Sequence, residues 1–215
     1  MPGGEAMDPE AIRAALALGQ HEYPFPEGEL RRLANRRWVL DHVPAGGVGA
    51  EIGVFRGHFS ELICAVLRPR KLYLIDPWTS IGPVFGWSGE YTADGRLPTA
   101  LARDEARLRT ALYPEVETVI IEAGFPDCAD RIAEPLDWLY LDASHRYEQT
   151  LRELRAAAAL LKPEAVLFGD DWRVNPQNPN NKVREACNAF LRESDFELLA
   201  AGVGGQWCMR RSLPG

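Results

Sequence analysis

"LDWLYLDASHRYEQTLRELRAAAALLKPEAVLFGDDW", Leu136 to Trp172, reads as strand, turn, helix and strand. Leu136, Trp138, Leu139, Tyr140 and Leu141 form an apolar run too short for a helix, which suits a buried strand. From Tyr147, the residues Leu151, Leu154, Ala158 and Leu161 recur at helical spacing, and "KPEAVLFGD" is a second buried strand. A strand, a crossover helix and a strand predict two parallel strands with the helix packed on one face. The first strand then ends at Asp142, with His145 in the turn, and the second ends at Asp170 and Asp171. Ionisable side chains at the mouth of a sheet are costly unless something relieves them.

The same alternation extends both ways. "GVGAEIGVF" is a short strand entering a glycine-bearing turn, "GHFSELICAVLR" a helix, and "KLYLID" a strand. A long loop (77–98), a helix near Thr99–Leu112 and the strand "VETVIIEA" follow. Two helices, about Pro9–Leu18 and Glu27–Asp41, precede all of this. Beyond the quoted stretch come a helix, Lys182–Glu193, and the strands "FELLAAG" and "GQWCMRR", joined through glycines as a hairpin. The expected fold is α/β: a doubly wound, mostly parallel seven-stranded sheet with helices on both faces and a C-terminal antiparallel hairpin.

Composition narrows the function. A 215-residue chain with 46% hydrophobic content supports one substantial core. Net charge is −7 and no Lys/Arg run exceeds two residues, so no basic stripe awaits a nucleic acid. Four scattered cysteines lack zinc spacing and read as reduced thiols. The N-terminus has an acidic start and no long apolar core, and no stretch approaches the roughly 20 residues of a membrane helix. The expectation is an intracellular, cytoplasmic protein with no nucleic-acid and no membrane partner; the N-terminal helices could build a homodimer contact.

Ligands of such sheets bind beyond the carboxyl ends of the strands. Those ends deliver Glu51, Asp76, Glu122–Ala123–Gly124, Asp142 and Asp170–Asp171. Helix capping explains one or two acids at such places, but a common cleft explains the set more simply. "GVFRG" lacks the GxGxxG of a dinucleotide turn, which removes the main support for hydride transfer. Its position matters more: it joins the first strand to its helix, and Asp76 follows about 20 residues later, where a ribose would be held.

On these residues the chain resembles the class I S-adenosylmethionine-dependent methyltransferases, from about Val48 onward. "AEIGVFRGHFS" looks like their first motif and "LYLIDPW" like their second. The resemblance implies a helical extension over residues 1–45 and a methyltransferase domain over 46–215. It implies cofactor contacts from Glu51, Gly53, Gly57 and Asp76, with Ala123, Gly124 and Phe125 beside the adenine. The quoted stretch is similar to the metal-dependent O-methyltransferases, especially the bacterial branch acting on sugars and related small molecules. That similarity implies a magnesium or other divalent ion on Asp142, Asp170 and Asp171, and His145 as catalytic base beside Asp142. Glu164–Ala165 departs from the Gly-Gly that commonly follows "KP" there.

The chemistry asks for such groups. Methyl transfer from a sulfonium is an in-line displacement, so the acceptor must be aligned and its hydroxyl activated by a cation or a base. Hard carboxylate oxygens suit magnesium or calcium better than zinc. The bland alternative for His145 is a turn histidine. The loop "PWTSIGPVFGWSGEYTADGRLP" carries Trp78, Phe85, Trp87 and Tyr91, read as a lid over the substrate or as a loop tacked down by its own rings. Three readings stay open: a magnesium-dependent O-methyltransferase of a small-molecule hydroxyl, a metal-independent methyltransferase to oxygen or nitrogen, and a cofactor-binding scaffold.

Overall fold

The computed structural model describes residues 8–175, 177–178 and 181–212. The acidic, non-apolar N-terminal stretch read from the sequence falls partly on residues 1–7, outside the described residues. Seven strands form one sheet: β1 (Val48–Ile52), β2 (Lys71–Asp76), β3 (Glu117–Glu122), β4 (Leu136–Leu141), β5 (Leu161–Gly169), β6 (Phe196–Ala201) and β7 (Trp207–Arg211). Their order is β3-β2-β1-β4-β5-β7-β6. The first five are parallel and β7 runs antiparallel to both β5 and β6. The helices are α1 (Pro9–Glu22), α2 (Glu27–Arg36), α3 (His58–Leu67), α4 (Thr99–Ala111), α5 (Tyr147–Leu160) and α6 (Asn181–Glu193). Among the described residues no helix is long and apolar enough to cross a membrane.

The central strands are apolar throughout because they are buried on both faces. Every residue of β1 is buried. Alternate side chains then feed two cores. Ala50, Ile52, Leu139, Leu141 and Leu167 face one layer, where Leu154 and Ala157 of α5 and Phe190 of α6 pack. Leu72, Leu74, Trp138, Tyr140 and Phe168 face the other, with Phe59 and Ile63 of α3 and Ala102 of α4. Each fully buried Leu, Ile or Phe contributes about 1.5–3 kcal/mol, so the two layers together dominate stability. Cys64, Cys128, Cys187 and Cys208 are free and buried within them.

Two features place the site. The order β2-β1-β4 reverses chain direction of winding at β1, so the ends of β1 and β4 open a crevice between them. At the β1 end, Gly53 has φ +85°, and a Cβ there would lie 1.9 Å from the Asp142 carbonyl oxygen. Only glycine lets the two strand ends approach this closely.

The N-terminal segment lies against the same body. Asp8 caps α1 by accepting from the Glu10 amide, and α1 buries Ile12 and Leu16. α2 buries none of its residues, whereas the 3₁₀ turn after it, Arg37–His42, buries Val39 and Leu40. The expected helix through Asp41 therefore changes character at Arg37.

Candidate active site

A cavity of about 740 Å³ opens at the carboxyl ends of β1, β2, β3 and β4. Glu51, Gly53, Asp76, Ala123, Gly124, Phe125, Asp142, His145 and Asp171 all line it.

On the β1–β2 side, Asp76 is buried and accepts from the Phe55 amide at 3.0 Å and the Trp78 amide at 3.0 Å. Burial nevertheless raises its pKa against those donors. The Val54 backbone also donates to it, and because a carboxylate accepts about four hydrogen bonds, capacity for a ligand hydroxyl remains. Glu51 is fully enclosed, and burial lifts its pKa to about 8 despite the Ser60 hydroxyl that donates to it. It is therefore mostly protonated at neutral pH. A Cβ at Gly124 would meet nothing within 4 Å, so that wall is open. Gly57 is not a wall residue. It caps α3 at φ +73°, and a Cβ there would lie 2.5 Å from the Ala106 Cα, so its smallness serves the crossing of α3 and α4.

On the β4–β5 side, His145 Nε2 lies 2.8 Å from Asp171 Oδ2, and this hydrogen bond raises the histidine pKa above its ordinary 6.5 against the effect of burial. Asp171 holds φ +64°, a region where Asp is among the tolerated residues, and the following Trp172 amide donates to the Gly205 carbonyl at 2.7 Å. The C-terminal turn thus fixes the acid that faces His145.

The acids do not form the expected trio. Asp142, His145 and Asp171 bring one potential ligand atom each within 4.8 Å of one another. The two carboxylates offer hard oxygens to a divalent cation, and the imidazole, hydrogen-bonded to Asp171, stands beside them. Asp170 lies outside that group. Its Oδ1 accepts from Gln206 Nε2 and the Asp171 amide, both at 2.7 Å. Its Oδ2 accepts from Arg32 at 2.5 Å and from Arg36. Arg36 also donates to Asp142 at 3.0 Å, and Arg173 to Asp171 at 2.9 Å. Spacing along the chain puts Asp170 and Asp171 side by side, but consecutive residues at a strand end point in different directions.

The loop after β2 divides likewise. Phe85 is buried yet lines the cavity, and Trp87 and Tyr91, 44% and 37% exposed, line it too. Trp78 does not. It is fully buried, donates from Nε1 to the Phe55 carbonyl at 2.8 Å and belongs to the core layer of α3 and α4.

Sequence reasoning missed Arg32, Arg36 and Gln206. The arginines stand four apart in "RRLANR" and so share a helix face, which was the available signal. Gln206 carried none.

A family model described as a methyltransferase domain matches residues 50–172, more than half of the chain. The chain belongs to this methyltransferase family. No curated protein matches the chain. Among solved structures, it is similar to an O-methyltransferase from Bacillus cereus in complex with SAH, at 15% identity over 96% of this chain and 92% of that one, TM-score 0.56. It is similar to TomG, an O-methyltransferase of tomaymycin synthesis from Streptomyces achromogenes solved with SAM, at 18% identity over 97% and 92%, TM-score 0.53. Cofactor-bound Rv0187 from MTB aligns at 14% identity over 95% and 90%, TM-score 0.59. At such identities the likeness is one of fold, and the methyltransferase shares their architecture along nearly its whole length.

Proposed function

We propose that the protein transfers a methyl group from S-adenosylmethionine to a hydroxyl of a small molecule, a sugar or an aromatic metabolite, with help from a divalent cation. One observation carries this reading: the cavity joins a buried strand-end acid suited to a ribose, Asp76, to an acid–histidine pair, Asp171 and His145, suited to activating a hydroxyl.

The chain's own residues divide the work. Asp76 would accept from the ribose hydroxyls, and Ala123, Gly124 and Phe125 would wall the adenine. S-adenosylmethionine supplies the electrophilic methyl group when bound. With Nε2–H donated to Asp171, His145 keeps a lone pair on Nδ1, and that atom takes the acceptor's proton. The imidazolium so formed stays beside a carboxylate that stabilises it. Asp142 and Asp171 would hold a divalent cation, which supplies Lewis acidity that lowers the hydroxyl pKa. Trp87 and Tyr91 offer ring faces to the acceptor and shield the reaction from water.

The test is transfer of labelled methyl groups to a panel of sugars and catechols, with magnesium and with excess chelator. Label on a hydroxyl oxygen, lost with chelator and restored by magnesium, supports the reading. Label on nitrogen, or an undiminished rate in chelator, contradicts the corresponding part of it.

A further inference from the structure

We propose that Arg36 is a tethered cation that competes with a divalent ion for Asp142, so that α2 gates the cation site; this rests on the cation reading above. One guanidinium bridges two acids, since Arg36 donates through Nη1 to Asp142 at 3.0 Å and through Nη2 to Asp170. Arg32 donates to Asp170 at 2.5 Å and comes within 3.8 Å of Asp171, and Arg173 donates to Asp171 at 2.9 Å. Three guanidiniums thus meet three carboxylates. The acids that were expected to need a metal are offset by arginine, which stays charged at any working pH.

A divalent ion entering this arrangement meets fixed positive charge on Asp142, one of the two carboxylates it needs. Like charges at such distances repel strongly in a buried site. Asp142 offers both oxygens without a neighbouring guanidinium only when the Arg36 side chain withdraws from Oδ2. The fold allows it to. α2 buries none of its residues, whereas the turn that follows is anchored by Val39, Leu40 and a hydrogen bond from Trp38 to the Val203 carbonyl at 2.9 Å. α2 is held mainly by Leu33 on the core and by Arg32 and Arg36 on the acids. A cation that replaces the arginines there removes much of what ties it down, and the anchored turn at its end gives it a pivot. Arg32 and Arg36 also lie outside residues 50–172, so the gate is supplied by a segment beyond the matched methyltransferase domain.

The consequence is measurable without turnover. A site that is competent only a tenth of the time binds its ligand about tenfold more weakly. Manganese titration followed by electron paramagnetic resonance should show Arg36→Gln binding Mn²⁺ about tenfold or more tighter than wild type. Asp142→Asn in the Arg36→Gln background should abolish the gain. In the wild type, adding Mn²⁺ should speed amide hydrogen exchange in α2 while leaving α5 unchanged. Equal or weaker Mn²⁺ binding by folded Arg36→Gln overturns the gate. If that variant does not fold, unchanged exchange of α2 on adding Mn²⁺ to the wild type overturns it. Methyl transfer to hydroxyls without any tightening would remove the gate alone; tightening without methyl transfer would remove the O-methyltransferase reading alone.

Discussion

At the scale of single residues the proposed chemistry rests on His145 and Asp171. The imidazole is useful only when Nδ1 is unprotonated, and its hydrogen bond to Asp171 raises the pKa above 6.5. The rate at saturating substrates should therefore climb with pH through a midpoint above 6.5, because the base form gains population as the proton leaves. His145→Ala should slow transfer by about 10²–10⁴-fold, the range for loss of a general base, and should flatten that climb. A pH–rate profile of the variant checks both, and an unchanged profile would reduce His145 to a turn residue. The strand-end acids were visible in the sequence because strand boundaries are. Which of them meet in space was not, since that depends on where each side chain points. Asp170, next to Asp171, turns instead to Gln206 and the arginines of α2.

Elements behave differently from their residues in the loop after β2. Trp78 and Trp87 lie nine residues apart in one loop, and both were read as lid. The first is fully buried in the core and the second is 44% exposed on the cavity wall. Trp78→Ala should cost about 3–5 kcal/mol of stability, as large aromatic deletions do. Trp87→Ala should leave the melting temperature nearly unchanged and raise the acceptor KM more than the cofactor Kd. Thermal melts and a KM comparison separate the two, and a matched loss of stability in both variants would contradict the division. The strands were readable almost to the residue, because a strand buried on both faces is an unbroken apolar run. The role of α2 was hidden, since its charged surface reads as a solvated helix until Arg32 and Arg36 meet their acids. An apolar tryptophan likewise does not announce whether it enters the core or lines a cleft.

Across the whole molecule, the cleft holds protons that the unfolded chain would release. Burial raises Glu51 from 4.5 to about 8 and Glu153 from 4.5 to about 7. An acid with a raised folded pKa stabilises fully below its unfolded value, and that contribution is lost as pH rises through the folded value. Wild-type stability should therefore decline relative to Glu51→Gln between about pH 4.5 and 8. Melting curves of both proteins across that window test it, and parallel curves would mean that Glu51 ionises freely in the fold. The larger claim is that the cavity at the strand ends is a methyl-donor site placed beside a separate hydroxyl-activating site. Calorimetric titration with S-adenosylhomocysteine tests this most directly, using wild type, Asp76→Ala and His145→Ala. The account predicts one site in the wild type, binding weakened by about 1–3 kcal/mol in Asp76→Ala, the scale of hydrogen bonds to a charged group, and unchanged binding in His145→Ala. No binding by the wild type, or a loss confined to His145→Ala, would contradict it.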